Sequence, residues 1–580
     1  MNNQQIIEIL NLIADLLQIK GEVIYKILAY RKAAEGIAGQ AREVREYWRD
    51  GQLESIPGVG KAIAEKLDEL FTNGKIQYLD KLTAEVPASL QSLLSVPDMG
   101  PKKVALVWKQ LGVTNLAELQ RAAEQGQLRT LAGMGEKSEA KILAGIAALS
   151  RRSGRIPLGQ AIPVAEELLA YLKALPMVTQ AELAGSARRQ RETIGDLDLV
   201  AAVTDAKTVL YKFVSHPKVV AVVGQGDTKA SVELEGGLRA QLWVHPPEHF
   251  GTALQYATGS QGHNVRLRER ALSLGYSLSE HALTPLDGSA PIACATEAEV
   301  YAYLGLPWIA PELREDRGEV QAALAGKLPT LLTPAQLISD LHTHSTWSDG
   351  HSSIREMAMT AREQGLKILA IADHSHGLGI VNGMSPAAIL ERAHEIRAVQ
   401  AEMGASILLL HSAEVEIRAD GELDYADDVL AQLDIVVASL HVSLRQPREQ
   451  ITARLLNAIR NPHVDIIGHP TGRLLPDRDG ADLDMEQILP AALQAGVALE
   501  INANWKRLDL NDVSARRYAE MGGLLSINSD AHHFNALART HYGVAVARRA
   551  WVAPDQIINT WNAERLLNWL SQRGIHQSFG

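Results

Sequence analysis

The sequence predicts a multidomain protein, in which an α-helical N-terminal region precedes an α+β region and a C-terminal β/α barrel. Three patterns predict this architecture: Gly-punctuated turns between short helices before residue 152, mixed strands and helices over 153–315, and short apolar segments that recur from residue 337 onward. A chain of 580 residues is long enough for several domains of about 100–200 residues each.

The composition excludes several classes of protein. With 46% hydrophobic and 22% charged residues, the chain is neither disordered nor of low complexity. A single cysteine, Cys294, excludes a disulfide framework and fits a reducing cytoplasm. The N-terminus lacks the basic segment of a signal peptide, and the apolar runs are too short to cross a bilayer, so we expect a cytoplasmic protein without a membrane partner. The net charge of −11 excludes a uniformly basic surface but not local basic patches.

The N-terminal region contains an internal repeat. Apolar residues on one helical face predict a first helix over 5–19, and three similar turns follow, IPGVGKAIAEKL (56–67), VPDMGPKKVALVW (96–108) and LAGMGEKSEAKIL (131–143). Gly58 and Gly60 allow a tight turn whose backbone N–H groups can approach DNA phosphates without reading the base sequence. The second turn has Asp98 where a glycine is usual, followed by Gly100 and Lys102. Glycine-terminated turns in a purely structural helical bundle are the alternative.

The middle region contains a second pattern, GSARRQRETIGDLDLV (185–200), with predicted strands over 196–203, 219–223 and 239–244. Asp196 and Asp198 lie two residues apart and face the same side of a strand, so both carboxylates can hold Mg²⁺ or Mn²⁺. Gly185, Ser186 and Arg189 offer groups that can bind triphosphate oxygens. This pattern indicates a nucleotidyltransferase, and an ordinary surface strand with two acids is the alternative.

The C-terminal region predicts a barrel with a metal centre. Seven apolar segments begin about 25–40 residues apart, the length of a βα unit, and all end in polar residues. Because the carboxyl ends of barrel strands form one rim, the polar residues should meet there. We expect nine metal ligands at this rim: His342, His344, Asp349, His374, Glu414, His441, His469, Asp530 and His532.

This ligand set predicts a chemistry. Helix caps would explain one or two such side chains, whereas nine nitrogen and oxygen ligands indicate two or three ions, and Mn²⁺, Zn²⁺ or Fe²⁺ suits them better than Mg²⁺ or Ca²⁺. A cluster of this kind activates water and stabilises charge on a phosphoryl group. The expected reaction is therefore phosphoester hydrolysis.

These segments resemble a known family. DLHTHSTWSDG, IADHS, AEVEIRADGELDY, ASLHVS, IIGHPTGR and SDAHH are similar to the PHP (polymerase and histidinol phosphatase) family, and all nine ligand positions match. The resemblance implies a distorted seven-stranded β/α barrel with a trinuclear metal centre. Arg473 and Arg507 are interpreted as ligands of a substrate phosphate, with surface salt bridges as the alternative.

Residues 1–315 resemble the family X DNA polymerases. AYRKAAEGI, IPGVGKAIAEKLDEL, the strand with Asp196 and Asp198, and YATGSQGHNVRLRERA carry this resemblance. With the barrel, the whole chain resembles a bacterial family X polymerase, a group that pairs gap-filling synthesis with 3′→5′ exonuclease activity. The resemblance implies a helical DNA-binding domain (1–82), a fingers-like domain with two further hairpins (83–152), a palm (153–247), a thumb (248–315), a linker (316–336) and a PHP exonuclease domain (337–575).

The resemblance also implies roles for individual residues. Gly185, Ser186 and Arg189 would contact the triphosphate, Asn264 and Arg268 the nascent base pair and template, and Tyr256 through Gly259 the sugar. Lys26, Tyr30 and Arg31 match positions that hold a 5′-phosphate in family members. Lys66 matches the lysine that forms a Schiff base in members with lyase activity. The carbonyls of Ile56 and Val59 would bind a monovalent cation. The expected partners are gapped or nicked DNA with its 3′ ends and deoxynucleoside triphosphates, and the expected state is a monomer.

The chain departs from the family at one catalytic position. The family's third carboxylate lies in a D-h-R pattern, but residues 239–244 read RAQLWV, with Gln241 at the Asp position and Trp243 at the Arg position. A glutamine amide brings neither charge nor a base, and loss of such a group commonly costs orders of magnitude in rate. We therefore expect impaired synthesis, unless nearby acids replace the missing carboxylate: Asp227, Glu233 or Glu235. Ala257 alters the sugar pocket further.

Three functions fit these patterns. The first is a bifunctional enzyme of base excision repair with an active nuclease and weak synthesis. The second is a DNA nuclease or 3′-end processing phosphoesterase whose polymerase half serves as a DNA-binding platform. The third, a small-molecule phosphatase of the histidinol-phosphate type, leaves the hairpin turns and TGSQGHN unexplained, and a non-enzymatic scaffold would leave nine ligands idle. We therefore expect the first function.

Overall fold

A computed structural model describes residues 3–38, 43–96, 98–151, 155–377 and 381–573. The chain forms two compact units. The first unit comprises residues 1–154 with 211–226 and 230–240, and the second comprises 155–210, 227–229 and 241–580. No described helix is long and apolar enough to cross a membrane.

The first unit is built mainly from helices. In chain order they are α1 (Asn3–Lys20), α2 (Ile24–Ala38), α3 (Val44–Arg49), α4 (Lys61–Asn73), α5 (Gln77–Glu85), α6 (Pro101–Leu111), α7 (Leu116–Glu124) and α8 (Glu136–Arg151). The helix predicted over 5–19 lies within α1, whose Leu10, Ile13 and Leu17 are fully buried. Helix α1 contacts α2, α5 and α6, so it forms the centre of this helical core.

The α+β region follows. Its elements are β1 (Ile156–Pro157), α9 (Leu158–Lys173), β2 (Val178–Leu183), α10 (Gly185–Arg188), β3 (Thr193–Ile194), β4 (Asp196–Val203), α11 (Ala206–Val214), β5 (Val219–Gln225), β6 (Lys229–Leu234) and β7 (Arg239–His245). The three predicted strands are confirmed as β4, β5 and β7, and β6 was not predicted. Strand β2 pairs antiparallel with β4, which has β7 on its other side, and β5 pairs antiparallel with β6. Strands β4 and β7 carry Asp196, Asp198 and Gln241, the residues of the predicted nucleotidyltransferase site.

A small mixed region leads to the barrel. It contains α12 (Phe250–Thr258), α13 (Gln261–Ser273), β8 (Tyr276–Leu278), β9 (Leu283–Pro285), α14 (Glu297–Tyr303) and α15 (Glu319–Leu324). Its own core is formed by buried side chains that include Leu267, Leu283, Val300 and Leu313. A capping box in which Thr296 and Glu299 exchange hydrogen bonds begins α14.

The C-terminal region is a barrel of seven parallel strands, in the order β10 to β16. In chain order it contains β10 (Ser339–Thr343), α16 (Ile354–Glu363), β11 (Ile368–Ile371), α17 (Pro386–Met403), β12 (Leu408–Glu416), α18 (Asp427–Leu430), β13 (Ile435–Ser439), α19 (Arg448–Arg460), β14 (Ile466–Gly468), α20 (Met485–Ala495), β15 (Ala498–Asn502), α21 (Asp512–Glu520), β16 (Leu525–Asn528), α22 (Thr540–Arg549) and α23 (Ala563–Arg573). A parallel bridge between Thr343 and Ala531 brings the first and last strands together, so the barrel is nearly closed. The expected seven-stranded β/α barrel is confirmed, with its strand carboxyl ends on one rim.

Candidate active sites

The nine predicted metal ligands lie together at the carboxyl rim of the barrel. His342 is on β10 and Glu414 is on β12, while the other ligands follow strands directly or lie in the loops after them. Three groups have potential ligand atoms within 4.8 Å of one another: His344, Asp349, His374 and His532; His342, His344 and Asp530; and His374, Glu414 and His441. The sequence pattern therefore identified a real spatial cluster.

Glu414 lies at the centre of this cluster. Its Oε2 is 2.9 Å from Nδ1 of His374 and 3.3 Å from Nε2 of His342. Its Oε1 is 2.8 Å from Nε2 of His469 and 3.3 Å from Nε2 of His441. Burial alone would raise the pKa of Glu414, but the surrounding histidines hold that pKa well below its usual range. Histidine nitrogens thus lie close to both carboxylate oxygens of Glu414, so either oxygen could share an ion with a neighbouring histidine.

The remaining ligands complete two sides of the cluster. Nε2 of His344 lies 3.1 Å from Oδ1 of Asp530, and Nε2 of His532 lies 3.3 Å from Oδ2 of Asp349. The other Asp349 oxygen lies 3.6 Å from Nε2 of His374. Each carboxylate is thus shared between neighbouring histidines, as expected for a site with more than one ion.

The donor atoms in this cluster fit divalent metal ions. Within the described part of the chain, eight buried atoms here form no well-aligned hydrogen bond, although several lie close to one another: Nε2 of His342, both ring nitrogens of His344 and of His469, Nδ1 of His374, and both carboxylate oxygens of Glu414. Buried polar atoms without partners are costly, and divalent ions bound to them would remove that cost. A nitrogen and oxygen set of this kind suits Mn²⁺, Zn²⁺ or Fe²⁺.

Two further carboxylates, which the sequence analysis missed, orient the ligands. Glu500 on β15 lies 2.9 Å from Nδ1 of His342 and accepts a hydrogen bond from the backbone N–H of His469 at 2.6 Å. Glu416 on β12 lies 2.8 Å from Nδ1 of His441. Such partners fix the orientation of ligand histidines. The sequence does contain a signal for them, because Glu416 and Glu500 are acids within the otherwise apolar segments AEVE and ALEIN.

The two arginines interpreted as phosphate ligands have different surroundings. Nε of Arg507 lies 3.3 Å from Oδ2 of Asp530, and its buried Nη1 has no hydrogen-bond partner among the described residues. Arg473 instead donates from Nη2 to Glu192 at 2.7 Å and from Nε to the carbonyl of Arg507 at 2.9 Å. Arg507 therefore points to the cluster with a free donor, whereas Arg473 is committed to other protein groups.

The two acids of the predicted nucleotidyltransferase site lie at the start of strand β4. Asp196 and Asp198 lie on the same side of the strand, and a Cβ atom at Gly185 would lie only 2.1 Å from Oδ2 of Asp198. Gly185 has a φ of +57°, so both its backbone and this close approach require glycine. Burial, together with the negative charge of Asp196, raises the pKa of Asp198 to about 7.

Gln241 lies beside this pair. It is on β7, which neighbours β4, and its Nε2 donates a hydrogen bond to Oδ2 of Asp196 at 2.8 Å. Two residues further along β7, the ring centroid of Trp243 lies 4.0 Å from Nζ of Lys229. Gln241 thus places an uncharged amide against the acidic pair, and Lys229 supplies a positive charge beside Trp243.

The predicted triphosphate turn is held by other protein groups. Ser186 is the second residue of α10, and Arg189 follows this helix. Nε of Arg189 donates to Oε1 of Glu315 at 3.0 Å, and its Nη1 donates to the carbonyl of Thr258. Binding of a triphosphate by Arg189 would therefore require rearrangement of these bonds.

The residues predicted at the nascent base pair form a small network. Nδ2 of Asn264 donates to the carbonyl of Tyr256 at 2.8 Å, and Nε of Arg268 donates to the carbonyl of Asn264 at 3.3 Å. Gly259 ends α12 with a φ of +69°, and a Cβ there would lie 3.1 Å from Nη1 of Arg189. Gly259 and Arg189, predicted on the sugar and on the triphosphate respectively, are therefore neighbours.

The hairpin glycines differ in their surroundings. Gly58 has a φ of +80°, and a Cβ there would lie 2.4 Å from the carbonyl oxygen of Lys32. Gly60 and Gly100 precede α4 and α6 in extended conformations, and a Cβ at either would meet no atom within 4 Å. Gly58 is therefore required for folding, whereas Gly60 and Gly100 leave their helix N-termini open.

In the second turn, Asp98 adopts the left-handed conformation, with a φ of +71°. Its carboxylate accepts hydrogen bonds from Nζ of Lys103 at 2.8 Å and from the hydroxyl of Ser138. Both hydrogen bonds lower the pKa of Asp98, and the one from Lys103 has the larger effect. Lys103, rather than its neighbour Lys102, thus neutralises the acid in this turn.

Three of the four residues matched to 5′-phosphate or lyase positions gather around Tyr78. Nζ of Lys26 and Nζ of Lys66 each lie 5.3 Å from the ring centroid of Tyr78, and the ring of Tyr30 stacks on it at 6.3 Å. The fourth, Arg31, bonds to Asp15 and to the side-chain oxygen of Asn11. The guanidinium of Arg31 is therefore already paired within the helical core.

Known families match parts of the helical region, the thumb and the barrel. A helix-hairpin-helix domain matches residues 1–76, and a SAM-like helix-hairpin-helix tandem matches 90–148. The DNA polymerase beta thumb matches 253–315, and the PHP domain matches 340–504.

Similar proteins extend these matches. The chain is 38% identical over 561 residues to a protein of Bacillus subtilis (strain 168) named DNA polymerase/3′-5′ exonuclease PolX, covering 96% of this chain and 97% of that protein. A probable phosphatase of Thermoanaerobacter sp. (strain X514) is 33% identical over 237 residues, which are 39% of this chain and 91% of the phosphatase. A probable phosphatase of Shewanella sp. (strain ANA-3) is 31% identical over 249 residues, covering 41% and 93%.

Proposed function

Because the chain belongs to the family X DNA polymerases with a C-terminal PHP domain, we propose that it is a DNA repair enzyme with unequal activities. Its barrel would degrade DNA from 3′ ends, and its palm would fill gaps slowly. Two observations carry this proposal: the nine predicted metal ligands, which include Glu414, lie in one cluster, and Gln241 donates a hydrogen bond to Asp196 at the predicted polymerase site.

In the barrel, metal ions bound by the nine ligands would supply an activated water and stabilise charge on the phosphoryl group. The chain's own residues orient the reaction. Glu500 and Glu416 hold His342 and His441, and Arg507 offers its free Nη1 to a phosphate oxygen next to Asp530. We propose Mn²⁺ as the preferred ion, ahead of Zn²⁺ and Fe²⁺.

The ligand set predicts the metal content of the protein. Full-length protein equilibrated with Mn²⁺ and then desalted should retain two or three ions per chain, because its donors form three adjoining groups. Plasma mass spectrometry gives this number, and an otherwise identical sample with His344→Ala and Asp349→Ala should retain fewer ions. A chain that retains none would contradict the proposed centre.

In the palm, we propose that Asp196 and Asp198 hold Mg²⁺ or Mn²⁺, and that Gly185, Ser186 and Arg189 hold the triphosphate. Asn264 and Arg268 would face the nascent base pair, and Tyr256 and Gly259 the sugar. The amide of Gln241 donates a hydrogen bond to Asp196 where the family places a carboxylate, so synthesis would be slow.

A second candidate function is a DNA nuclease whose polymerase half only binds DNA. The bond from Gln241 to Asp196 favours it, because it places a neutral amide where a carboxylate would bring a further negative charge to hold the catalytic ion. Residual synthesis by the unmodified protein separates the two candidates.

The helical region would bind gapped or nicked DNA. We propose that Lys26 and Tyr30, gathered with Lys66 around Tyr78, face the 5′-phosphate, and that Arg31 contributes only if it leaves Asp15. Backbone N–H groups after Gly60 and Gly100 would contact phosphates, with Lys102 nearby and a monovalent cation on the first hairpin. The chain would act as a monomer in the cytoplasm.

The hairpin proposal predicts a selective loss of DNA affinity. Gly60→Val should weaken binding to gapped DNA by about tenfold, because the new side chain covers the N-terminus of α4 without a clash in the fold. The wild-type affinity should fall steeply with salt and depend little on base sequence. Fluorescence anisotropy at several salt concentrations measures both, with thermal melting as the folding control. Strong sequence preference, or unchanged affinity in the variant, would contradict the backbone contact.

A further inference from the structure

Arg473 connects two segments of the second unit that are far apart in the sequence. Its Nη2 donates to Oε2 of Glu192 at 2.7 Å, although 281 positions separate the two residues along the chain. Glu192 directly precedes β3, and its carbonyl accepts a hydrogen bond from the N–H of Leu158 at 3.0 Å. Because the Glu192 backbone is fixed by this bond, its carboxylate offers Arg473 a defined partner.

The same guanidinium holds a loop of the barrel. Nε of Arg473 donates to the carbonyl of Arg507 at 2.9 Å, and its Nη2 also donates to the carbonyl of Leu508. Leu508 is fully buried with a φ of +45°, a left-handed conformation that leucine rarely adopts. Surrounding contacts must maintain such a backbone. The two bonds from Arg473 are contacts of this kind.

This loop presents Arg507 to the metal ligands. Nε of Arg507 lies 3.3 Å from Oδ2 of Asp530, and Nη1 is the buried donor left without a partner among the described residues. A misplacement of about 1 Å at a group that contacts the reacting phosphate can reduce a rate by about a hundredfold. The position of the Arg507 backbone therefore matters for hydrolysis.

We propose that Glu192, which lies outside the barrel, is a positioning residue for hydrolysis at the barrel. Glu192 fixes Arg473, Arg473 fixes the carbonyls of Arg507 and Leu508, and the loop then holds the guanidinium of Arg507 beside Asp530. This inference rests on the proposed hydrolytic function and on the proposed contact of Arg507 with phosphate. It gives a role to the bonds that Nε and Nη2 of Arg473 make with protein groups, although this residue follows His469 closely.

The test uses full-length protein, Mn²⁺ and bis(p-nitrophenyl) phosphate, a small diester whose hydrolysis does not depend on DNA binding. Glu192→Ala should lower kcat by about tenfold, the usual size of such indirect effects, with little change in bound metal. Glu192→Gln should lose less activity, because its amide oxygen still accepts a hydrogen bond. The matched control is Glu312→Ala: Glu312 bonds to Arg548 on α22 at 2.8 Å, another link to the barrel, but one that bypasses Arg473.

Two further readouts distinguish positioning from a general loss of structure. In an Arg507→Ala background, Glu192→Ala should cause less than about a twofold further loss, because both changes act through one guanidinium. In the metal-free protein, Glu192→Ala but not Glu312→Ala should speed hydrogen exchange in peptides that cover 503–510.

Each outcome decides the inference. Wild-type kcat in Glu192→Ala, a full additive loss in the Arg507→Ala background, or unchanged exchange over 503–510 would overturn it while leaving the hydrolytic function intact. If the unmodified protein hydrolyses neither the small diester nor DNA, the proposed hydrolytic function is overturned, and the inference falls with it.

Discussion

Gln241→Asp should raise the rate of nucleotide addition by about a hundredfold or more, the size of effect that a single charged group can have at a transition state. The substitution places a carboxylate where an amide now donates to Asp196 at 2.8 Å. Three carboxylates can then share the catalytic ion and assist deprotonation of the primer 3′-OH. Lys229 already places a positive charge 4.0 Å from the Trp243 ring centroid, so Trp243→Arg should add little.

The rate is measured by extension of a 5′-labelled primer in gapped DNA, in a background that carries His344→Ala and Asp349→Ala so that degradation does not hide synthesis. Gln241→Asn is the matched control, because it has the size of aspartate without the charge and should not raise the rate. If the protein with Gln241 already extends primers as fast as the Asp variant, another acid supplies the third carboxylate: Asp227, Glu233 or Glu235.

His344→Ala combined with Asp349→Ala should reduce degradation of DNA by about a thousandfold, because both changes remove ligands from the same group of donors. His344 lies 3.1 Å from Asp530, and Asp349 lies 3.3 Å from His532, so the pair spans both sides of the cluster. DNA affinity should change little, because the hairpin turns belong to the other compact unit.

This loss is measured by release of nucleotides from 5′-labelled DNA in Mn²⁺, with anisotropy as the binding control. His351→Ala is the matched control and should degrade DNA at the wild-type rate, because His351 is an exposed histidine next to His532 but outside the predicted ligand set. Undiminished digestion by the double variant would remove the barrel as the source of exonuclease activity.

The parts of the fold that sequence reasoning predicted correctly share a local signal. Each predicted metal ligand lies near the carboxyl end of an apolar strand or in the loop that follows it, so the strand pattern predicted its place on the rim. The predicted strand over 196–203 coincides with β4, because alternating acids give way to a fully apolar run. Strand β6 was missed, since Lys229 and Glu233 interrupt its apolar residues.

The interactions that sequence could not predict are long-range pairings of charged groups. Glu192 and Arg473 are 281 positions apart, and no periodic pattern links them. Arg473 looked like a phosphate ligand because it follows His469 closely, but its Nε and Nη2 donate to the carbonyls of the loop and to Glu192. Arg31 was likewise matched to a phosphate position, while the fold pairs it with Asp15. A motif reveals which residue types are present, but not which neighbours compete for them.

One measurement tests the central claim, that hydrolysis at the barrel outweighs synthesis at the palm in the unmodified chain. Full-length protein is incubated with a 5′-labelled primer in gapped duplex DNA and all four deoxynucleoside triphosphates, in Mn²⁺ and separately in Mg²⁺, and the product lengths are resolved over time. The proposal predicts progressive shortening of the primer in Mn²⁺ and very little extension in Mg²⁺. Rapid filling of the gap in Mg²⁺, with no shortening in either metal, would contradict it.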